Sequence, residues 1–362
     1  MTINKQWRLA RKPLGGYPVA ADFNLSEAAV FEPGDGQLLS KTLYLSLDPY
    51  QWGRRRNGTE QPGDVCHGRT VSEVVKSRHP VFSEGDLIFN TNGWQEYGLT
   101  GKDVSIFNYM LPRKIDPQLA PISTALGVLG MLGLTAYAGS YLQCKPRAGE
   151  TFVVSAASGG VGQIAGQIAK ICGCRVVGVA GITDKCEFLV NTLGFDAAVS
   201  RLSESFEDDL REACPDGVDI YFENVGGKTF NAILPLFNKK ARISLCGLVS
   251  QYGNMDGQNP QDVWHSLGQS TFDKKEMKVH SLFVGNYVAE YEQQFLTEMG
   301  RWVADGYVKY KEDLWVGLDK APKAFAAMLA GKNFGKTLVS VHADPSLTEN
   351  IHEKRTSANV LA

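Results

Sequence analysis

The sequence lacks a paired cysteine framework, a long cationic stretch and a long apolar run. Its seven cysteines are an odd number without a Cys-x-x-Cys pair, and its six histidines are isolated. Scattered cysteines are typical of a reducing compartment, and nothing local predicts a metal site. The net charge of −2 gives no general attraction to nucleic acid or to an anionic membrane. Without a signal peptide or a membrane-spanning run, we expect a cytoplasmic protein.

The length of 362 residues exceeds one ordinary core and predicts two domains. Residues 1 to about 120 contain short strands separated by Gly, Asp and Pro, which predicts a compact, barrel-like β domain. Three consecutive arginines at 54–56 are expected in a solvated turn rather than at a phosphate site. After about residue 122 apolar strands alternate with helices, which is typical of a doubly wound α/β nucleotide-binding domain. The polar last twenty residues are expected to be disordered.

A glycine-rich turn follows the first strand of the alternating region. The segment 155–162 reads SAASGGVG, with glycines at 159, 160 and 162. It is not a literal G-x-G-x-x-G, but these glycines permit a tight turn and close approach of the backbone to a pyrophosphate. The helix that begins there directs amide groups and its positive dipole end at the phosphates. A strand–helix joint without a ligand is the alternative, and the βαβ context favours a nucleotide.

The second strand of this region, RVVGVAG at 175–181, ends without the carboxylate that usually holds the ribose hydroxyls of NADH. Lys185 follows it, and Arg201 follows the third strand. A lysine can bind the 2′-phosphate of NADPH as a point charge, and an arginine can stack on adenine or reach the same phosphate. We therefore predict NADPH rather than NADH. A solvated Lys185, partly neutralised by Asp184, is the alternative.

Several segments together resemble one known family. They are YLSLDPYQWG, GMLGLTAY, AASGGVGQIAGQIAK, GCRVVGVAG, YFENVGGKTFNAILP, ISLCGLVSQY and GKNFGKTLV. In this order they are similar to the zinc-independent medium-chain dehydrogenase/reductases, in the branch of leukotriene/prostaglandin reductases, alkenal double-bond reductases and bacterial NADPH-dependent curcumin reductases. The resemblance implies a GroES-like catalytic domain, a Rossmann domain and a homodimer. We assign residues 1–124 to the catalytic domain, 125–305 to the NADPH-binding domain, 306–343 to a segment returning to the catalytic domain, and 344–362 to a disordered tail.

The resemblance also implies which residues form the site. Those expected at the cofactor are Gly159, Gly160, Val161, Gly162, Gly181, Lys185, Asn224, Cys246, Gly247, Leu248, Tyr252, Leu282, Phe283, Val284 and Asn333, and we add Arg201 to this set. Tyr252 and Tyr50 are the candidate catalytic residues. Packing or turn formation is the alternative role for the tyrosines, the asparagines and Cys246.

Some positions depart from the family pattern. Gln51 and Trp52 replace the usual residues after DPY and are expected to change the mouth of the site, which leaves the substrate open. Arg201 stands where many relatives have tyrosine. Four aromatic residues are candidates for a pocket that takes a bulky substrate, or else for the core, and they are Trp52, Trp94, Tyr97 and Trp264.

Without a metal to polarise a carbonyl, the chemistry that fits is conjugate reduction of an enone or enal. Hydride adds to the β-carbon, and hydrogen-bond donors suffice to stabilise the enolate. The resemblance thus implies an NADPH-dependent enone reductase that acts on a small molecule, with curcumin-like diarylenones among the substrates. An NADPH-dependent quinone reductase and a non-catalytic NADPH-binding protein are the alternatives.

Overall fold

The computed structural model describes residues 2–104 and 109–347. A two-stranded antiparallel ribbon begins the chain, made of β1 (Ile3–Leu9) and β2 (Phe23–Ala29). The main sheet of the β-rich part consists, in these residues, of seven strands. They are β3 (Gln37–Ser46), β4 (Thr70–Ser77), β5 (Leu87–Asn90), β6 (Tyr97–Gly101), β7 (Arg113–Lys114), β14 (Glu312–Val316) and β15 (Lys336–Ser340). Their order is β14-β15-β3-β4-β5-β7, and β6 pairs with β3.

The second part is a parallel sheet in which the described chain places six strands. They are β8 (Thr151–Ser155), β9 (Arg175–Ala180), β10 (Ala197–Ser200), β11 (Val218–Glu223), β12 (Phe237–Leu245) and β13 (Lys278–Ser281). Their spatial order is β10-β9-β8-β11-β12-β13, so the order reverses between β8 and β11. This is the doubly wound arrangement in which ligands bind at the carboxyl ends of the strands beside the reversal. The prediction of a parallel α/β domain joined to a β-rich domain is confirmed.

Helices connect strands in both parts of the structure and cover the parallel sheet. They are α1 (Tyr50–Arg56), α2 (Met131–Tyr137), α3 (Gly162–Ile171), α4 (Thr183–Glu187), α5 (Phe206–Ala213), α6 (Gly227–Ile233), α7 (Pro260–Lys274), α8 (Gly285–Ala304) and α9 (Ala321–Leu329). Strand β8 is buried at every position, as a parallel strand with helices on both faces requires. Ile164 and Ile168, four residues apart on α3, pack into the same core. Helical spacing thus places one face of α3 against the sheet.

The chain returns to the β-rich sheet after α8, and this return meets the glycine-rich turn. Strand β15 pairs antiparallel with β3, which joins the end of the described chain to its first third. Just before β15, the amide of Gly335 donates to the carbonyl oxygen of Ser158 at 3.1 Å. The two folded parts are therefore connected at the turn between β8 and α3. Most of the predicted tail, residues 348–362, lies outside the described residues.

The prediction that arginines 54–56 form a solvated turn is wrong. They form the last turn of α1, and Arg55 is completely buried. Its Nε donates to Glu60 at 3.1 Å, and its guanidinium lies 4.5 Å from the ring centroid of Trp94 and 5.0 Å from that of Phe325. A cation is stable inside the protein when it is paired and stacked on aromatic faces. Arg55 is therefore part of the core.

Candidate active site

A cavity of about 870 Å³ lies between the two folded parts, beside the carboxyl ends of the parallel strands. Such a volume is in the range of cofactor and substrate pockets. All but one of the predicted site residues line it, and they are Tyr50, Gly159, Gly160, Val161, Gly162, Gly181, Lys185, Arg201, Asn224, Cys246, Gly247, Tyr252, Leu282, Phe283, Val284 and Asn333. The structure thus brings together residues from segments almost 300 positions apart.

Two glycines of the glycine-rich turn have no room for a side chain. A Cβ atom at Gly162 would collide with the carbonyl oxygen of Ala156, and one at Gly160 would collide with the side chain of Leu132. Helix α3 begins at Gly162, and the amides of Gln163 and Ile164 donate to the carbonyl oxygens of Gly159 and Val161, each at 3.1 Å. The positive end of the helix therefore lies at the turn that lines the cavity. These features fit a pyrophosphate that is bound by backbone groups and by the positive end of a helix.

A pair of cations lies at the tip of β9. Lys185 is buried, and its Nζ donates to the carbonyl oxygen of Gly331 at 2.8 Å. Arg201 is close enough that its Nη2 would lie 3.5 Å from a Cβ placed on Gly331. Burial, and then the charge of Arg201, lower the pKa of Lys185, while Asp313 acts in the opposite direction. The alternative of a solvated Lys185 is therefore wrong, and two cations face the same end of the cavity.

Asp184 does not take part in this pair. The side chain of Asp184 is in the exposed first turn of α4, whereas Lys185 points back toward the cavity. The tip itself is formed by Gly181, Ile182 and Thr183. The end of β9 thus presents positive charge and no acidic side chain of its own, which is the arrangement that a phosphate on the ribose requires.

Glu223 is a buried residue of the site that the sequence did not single out. It ends β11 and is completely buried. Its Oε1 accepts hydrogen bonds from Tyr221 Oη at 2.8 Å, Ser155 Oγ at 2.9 Å, Val225 N at 2.8 Å and Gly226 N at 3.0 Å, and its Oε2 accepts from Trp264 Nε1 at 3.1 Å. A buried carboxylate needs such partners. It therefore fixes the turn after β11 against the end of β8. The signal in the sequence was an acidic residue at the end of an apolar strand.

The two predicted asparagines are held by backbone groups at the cavity wall. Asn224 donates from Nδ2 to the carbonyl oxygen of Ser155 at 2.7 Å. Asn333 donates from Nδ2 to the carbonyl oxygen of Gly335 at 2.9 Å. Each asparagine thus shapes a turn and lines the cavity at the same time.

The other end of the cavity contains tyrosines. Tyr252 is placed by the short turn after β12, and a Cβ added to Gly247 would lie 3.3 Å from its hydroxyl oxygen. Burial raises the pKa of Tyr252 to about 12, so it is a neutral phenol at physiological pH. Tyr109 lines the same region and packs edge-to-face on Phe283 with ring centroids 5.1 Å apart. Sequence reasoning missed Tyr109, because no motif surrounds it.

Tyr50 approaches from α1 on the opposite side. Its Oη lies 2.8 Å from Nε2 of His67, and the guanidinium carbon of Arg69 lies 5.7 Å from its ring centroid. Burial is the largest cause that raises the pKa of Tyr50, against the opposing charge of Arg69. Tyr50 is therefore also a neutral phenol that can donate a hydrogen bond.

A buried ionic cluster supports this end of the cavity. Asp48 Oδ1 pairs with Arg69 Nη2 at 2.8 Å and with Lys336 Nζ at 3.0 Å. Burial opposes ionisation of Asp48, but the two cations hold the pKa of its carboxyl well below the usual range. The three residues come from the loop after β3, the position just before β4 and the start of β15. The cluster thus ties the returning segment to α1, on which Tyr50 sits.

Cys246 also faces the cavity, as a neutral thiol. Burial, with the charge of Glu223, raises its pKa to about 12. A thiol rather than a thiolate is a poor nucleophile, so Cys246 is suited to lining the site and not to covalent chemistry.

The structure corrects several expectations about side chains. Leu248 does not line the cavity, because its side chain is buried beside Gly226 in the core of the parallel-sheet domain. Gln51 and Trp52 do not form the mouth, because both are completely buried and donate to the carbonyl oxygens of Ser46 and Gly16. Trp94 and Trp264 also pack in the apolar cores. The three tryptophans therefore belong to the core, which was the alternative role for them, and not to an aromatic pocket.

Among the residues that the structure describes, there is neither a cluster of metal ligands nor a membrane-spanning helix. In residues 2–104 and 109–347, no three His, Cys, Asp or Glu side chains come close enough together to hold a metal ion. Within the same ranges, no helix combines the length and the apolar character needed to cross a membrane.

Comparisons with known proteins agree with this architecture. Residues 5–106 match the family model described as the N-terminal domain of oxidoreductase, and residues 160–301 match the one described as zinc-binding dehydrogenase. The chain is 42% identical to the NADPH-dependent curcumin reductase of Escherichia coli, over 94% of this chain and 98% of that protein. It is 38% identical to prostaglandin reductase 1 of Mus musculus, over 94% and 99% of the two chains.

A solved structure shares the whole fold. The crystal structure of CurA from Vibrio vulnificus in complex with NADPH superimposes with a TM-score of 0.86 at 38% identity, covering 94% of this chain and 100% of that one. Sequence and structure thus match over nearly the full length of each relative. The chain belongs to the medium-chain dehydrogenase/reductase family, in the branch that contains the prostaglandin reductases and the bacterial curcumin reductases.

Proposed function

We propose that this chain is an NADPH-dependent reductase of the carbon–carbon double bond in α,β-unsaturated ketones and aldehydes, and that it works without zinc. The observation that carries the proposal is one continuous cavity with a cation pair and a glycine-rich turn at one end and neutral phenols at the other. Relatives named as a curcumin reductase and a prostaglandin reductase support the same class of reaction. Curcumin-like diarylenones are the substrates that we propose first.

The cofactor end fits NADPH through three elements. The turn from Gly159 to Gly162 would bind the pyrophosphate, since this turn lines the cavity and α3 begins with its positive end there. Lys185 and Arg201 would bind the 2′-phosphate, and their charges are the ones that distinguish NADPH from NADH. Cys246, Gly247 and the stretch 282–284 would line the nicotinamide. When bound, NADPH supplies the hydride that adds to the β-carbon of the substrate.

The phenols complete the reaction at the substrate. Hydride addition moves the electrons of the double bond onto the carbonyl oxygen, which becomes an enolate oxyanion. We propose that Tyr252 donates a hydrogen bond to this oxygen and then its proton, which gives the enol. Water then supplies a proton to the α-carbon, and the proton on the enol oxygen returns to Tyr252 through water, which leaves the saturated carbonyl compound. Preorganised donors aimed at a developing oxyanion lower the barrier, and a phenol with a pKa of about 12 keeps its proton at neutral pH. Tyr50 is the second donor, from the other wall.

Calorimetry and an anaerobic assay test the proposal in two steps. NADPH should bind at least about tenfold more tightly than NADH, the effect expected of one charge-assisted contact. Oxidation of NADPH is then measured with a panel of enones, enals and quinones. Faster turnover of enones supports the proposal. Faster turnover of quinones would make the chain a quinone reductase, and tight binding of NADPH without any turnover would make it a binding protein.

We also propose a homodimer, in keeping with the family resemblance. Strand β13 lies at the edge of the parallel sheet, and an edge strand offers backbone groups for pairing with a second copy. Light scattering coupled to size exclusion measures the mass. A mass near 39.6 kDa, that of one chain, would overturn this proposal.

A further inference from the structure

A half-buried histidine contacts the candidate donor Tyr50. His67 Nε2 lies 2.8 Å from Tyr50 Oη, and the two rings meet edge-to-face with centroids 5.8 Å apart. The backbone of His67 is held on both sides, since its amide donates to Glu60 Oε2 at 3.3 Å and its carbonyl oxygen accepts from Arg55 Nη2 at 3.2 Å. His67 is thus a fixed partner of the phenol.

The surroundings keep the His67 ring neutral. Burial is the largest cause, and the charges of Arg54, Arg55 and Arg69 act in the same direction against Asp48, so the pKa of His67 falls to about 3. A neutral imidazole carries one N–H, on either Nδ1 or Nε2. Which nitrogen carries it decides the direction of the hydrogen bond to Tyr50.

The two directions have opposite consequences for catalysis. If Tyr50 donates to Nε2, its only proton points at the histidine and away from the cavity. If Nε2–H donates to Tyr50 Oη, the phenol proton is free to point into the cavity that Tyr50 lines. Only the second arrangement makes Tyr50 a donor to an oxyanion.

We propose that His67 is a positioning residue whose Nε2–H donates to Tyr50 Oη and turns the phenol proton toward the substrate oxygen. The proposal rests on the proposed function, in which Tyr50 faces an enolate. It requires no bond to form or break at His67. None of the segments that carry the family resemblance contains residue 67, so this role is inferred from the contacts alone.

Turnover of four variants tests the role. His67→Phe should lower kcat about tenfold, the effect of losing one hydrogen bond, with the Kd of NADPH unchanged because the cofactor end lies elsewhere. His67→Gln keeps an N–H donor and should retain most of the activity. Tyr50→Phe should lose as much as His67→Phe, and the double variant should be no slower than Tyr50→Phe. Circular dichroism and thermal melting check that each variant is folded.

Three results separate the alternatives. If His67→Phe turns over as fast as the parent or faster, Tyr50 donates to the histidine and the proposal fails. If the losses of the two single variants add in full, the residues act independently and the proposal also fails. If the parent binds NADPH and reduces no enone, the proposed function fails, and the donor role of Tyr50 fails with it.

The tautomer can be measured without any turnover. Nitrogen-15 NMR of the six histidines distinguishes protonated from unprotonated ring nitrogens, and the His67 signals are those missing from His67→Gln. We expect Nε2 protonated and Nδ1 unprotonated from pH 6 to pH 8. Protonation on Nδ1 alone would overturn the proposal whatever the substrate is.

Discussion

The two ends of the cavity are built in different ways. At the cofactor end the chain uses backbone groups, glycines without room for a Cβ, and two cations that follow neighbouring strands. At the opposite end, where we propose that the substrate reacts and which we call the reaction end, it uses side chains from segments far apart. Each is held by a polar partner, such as Tyr50 by His67 and Asp48 by Lys336. The first end depends on local geometry, and the second depends on how distant segments meet.

This difference implies different responses to substitution. A change in the glycine-rich turn alters the shape of the backbone, so it should affect binding of every cofactor. A change at the reaction end removes one donor from a formed pocket, so it should lower kcat and leave cofactor binding intact. Substitutions at each end of the cavity test this division, and the largest effect is expected in the glycine-rich turn.

Gly162→Val should weaken the binding of NADPH by up to about 100-fold. The added side chain would meet the carbonyl of Ala156 and the backbone of Ala157, and overpacking against backbone typically costs about 1–3 kcal/mol, which corresponds to a loss of about 5- to 150-fold in affinity. Isothermal titration calorimetry measures it. Gly300→Ala, in α8 with nothing within 4 Å of the added atom, is the control and should bind normally. Near-normal binding by Gly162→Val would show that the turn does not contact the cofactor.

Tyr252→Phe should lower kcat for an enone about 10- to 100-fold, the effect of losing one hydrogen bond to a charged group. The Kd of NADPH should stay within a factor of two or so, because the phenol acts at the substrate. Steady-state kinetics and calorimetry on the same preparation separate the two quantities. A variant with full kcat would remove Tyr252 from the chemistry. A variant with normal kcat at saturation but weak NADPH binding would move Tyr252 to the cofactor end.

The cofactor end was largely predictable from the sequence because its features are local. The glycines at 159, 160 and 162 are adjacent in the chain, and Lys185 follows the strand whose tip it occupies. The parallel-strand alternation then places these segments beside the same reversal of strand order. Even there, the burial of Lys185 could not be predicted, because its partner Gly331 is 146 positions away.

The reaction end was less predictable because its contacts are not local. Nothing in the sequence places His67 on Tyr50, or Tyr109 on Phe283. Trp52 was expected at the mouth because it follows the DPY motif, but residues two positions apart on a helix, such as Tyr50 and Trp52, face different directions. It is therefore buried while Tyr50 lines the cavity. Burial of Arg55 depends on aromatic rings from three separate segments, which no local pattern reveals.

Lys185→Ala should weaken NADPH about tenfold, the effect of one hydrogen bond to a charged group, and leave NADH unchanged. Arg201 remains in place, so the loss stays moderate. Lys332→Ala is the matched control, because Lys332 is an exposed lysine next to Gly331 and should change neither affinity. Competition titrations with both cofactors measure the ratio. Equal weakening of NADH and NADPH would show that Lys185 supports the fold of the site rather than selecting the phosphate.

Glu312→Gln, at the first residue of β14, should stabilise the protein at alkaline pH. Its Oε1 is buried without a hydrogen-bond partner among the residues that the structure describes, and burial raises the pKa of Glu312 to about 7 against the opposing effects of Ser123 and Lys336. The folded state thus holds this proton more tightly than the unfolded chain, so stability falls as the pH rises from about 4.5 to 7. The neutral amide avoids that loss.

The thermal midpoint of Glu312→Gln should therefore exceed that of the parent by a few degrees at pH 8, and the difference should shrink toward zero as the pH falls to 5. The full shift is equivalent to about 3 kcal/mol at most. Glu84→Gln removes an exposed carboxylate and should show no such pH-dependent gain. Scanning calorimetry of the parent and the two variants from pH 5 to pH 8 measures these differences in thermal midpoint. A constant difference at every pH would assign the effect to packing rather than to ionisation of Glu312.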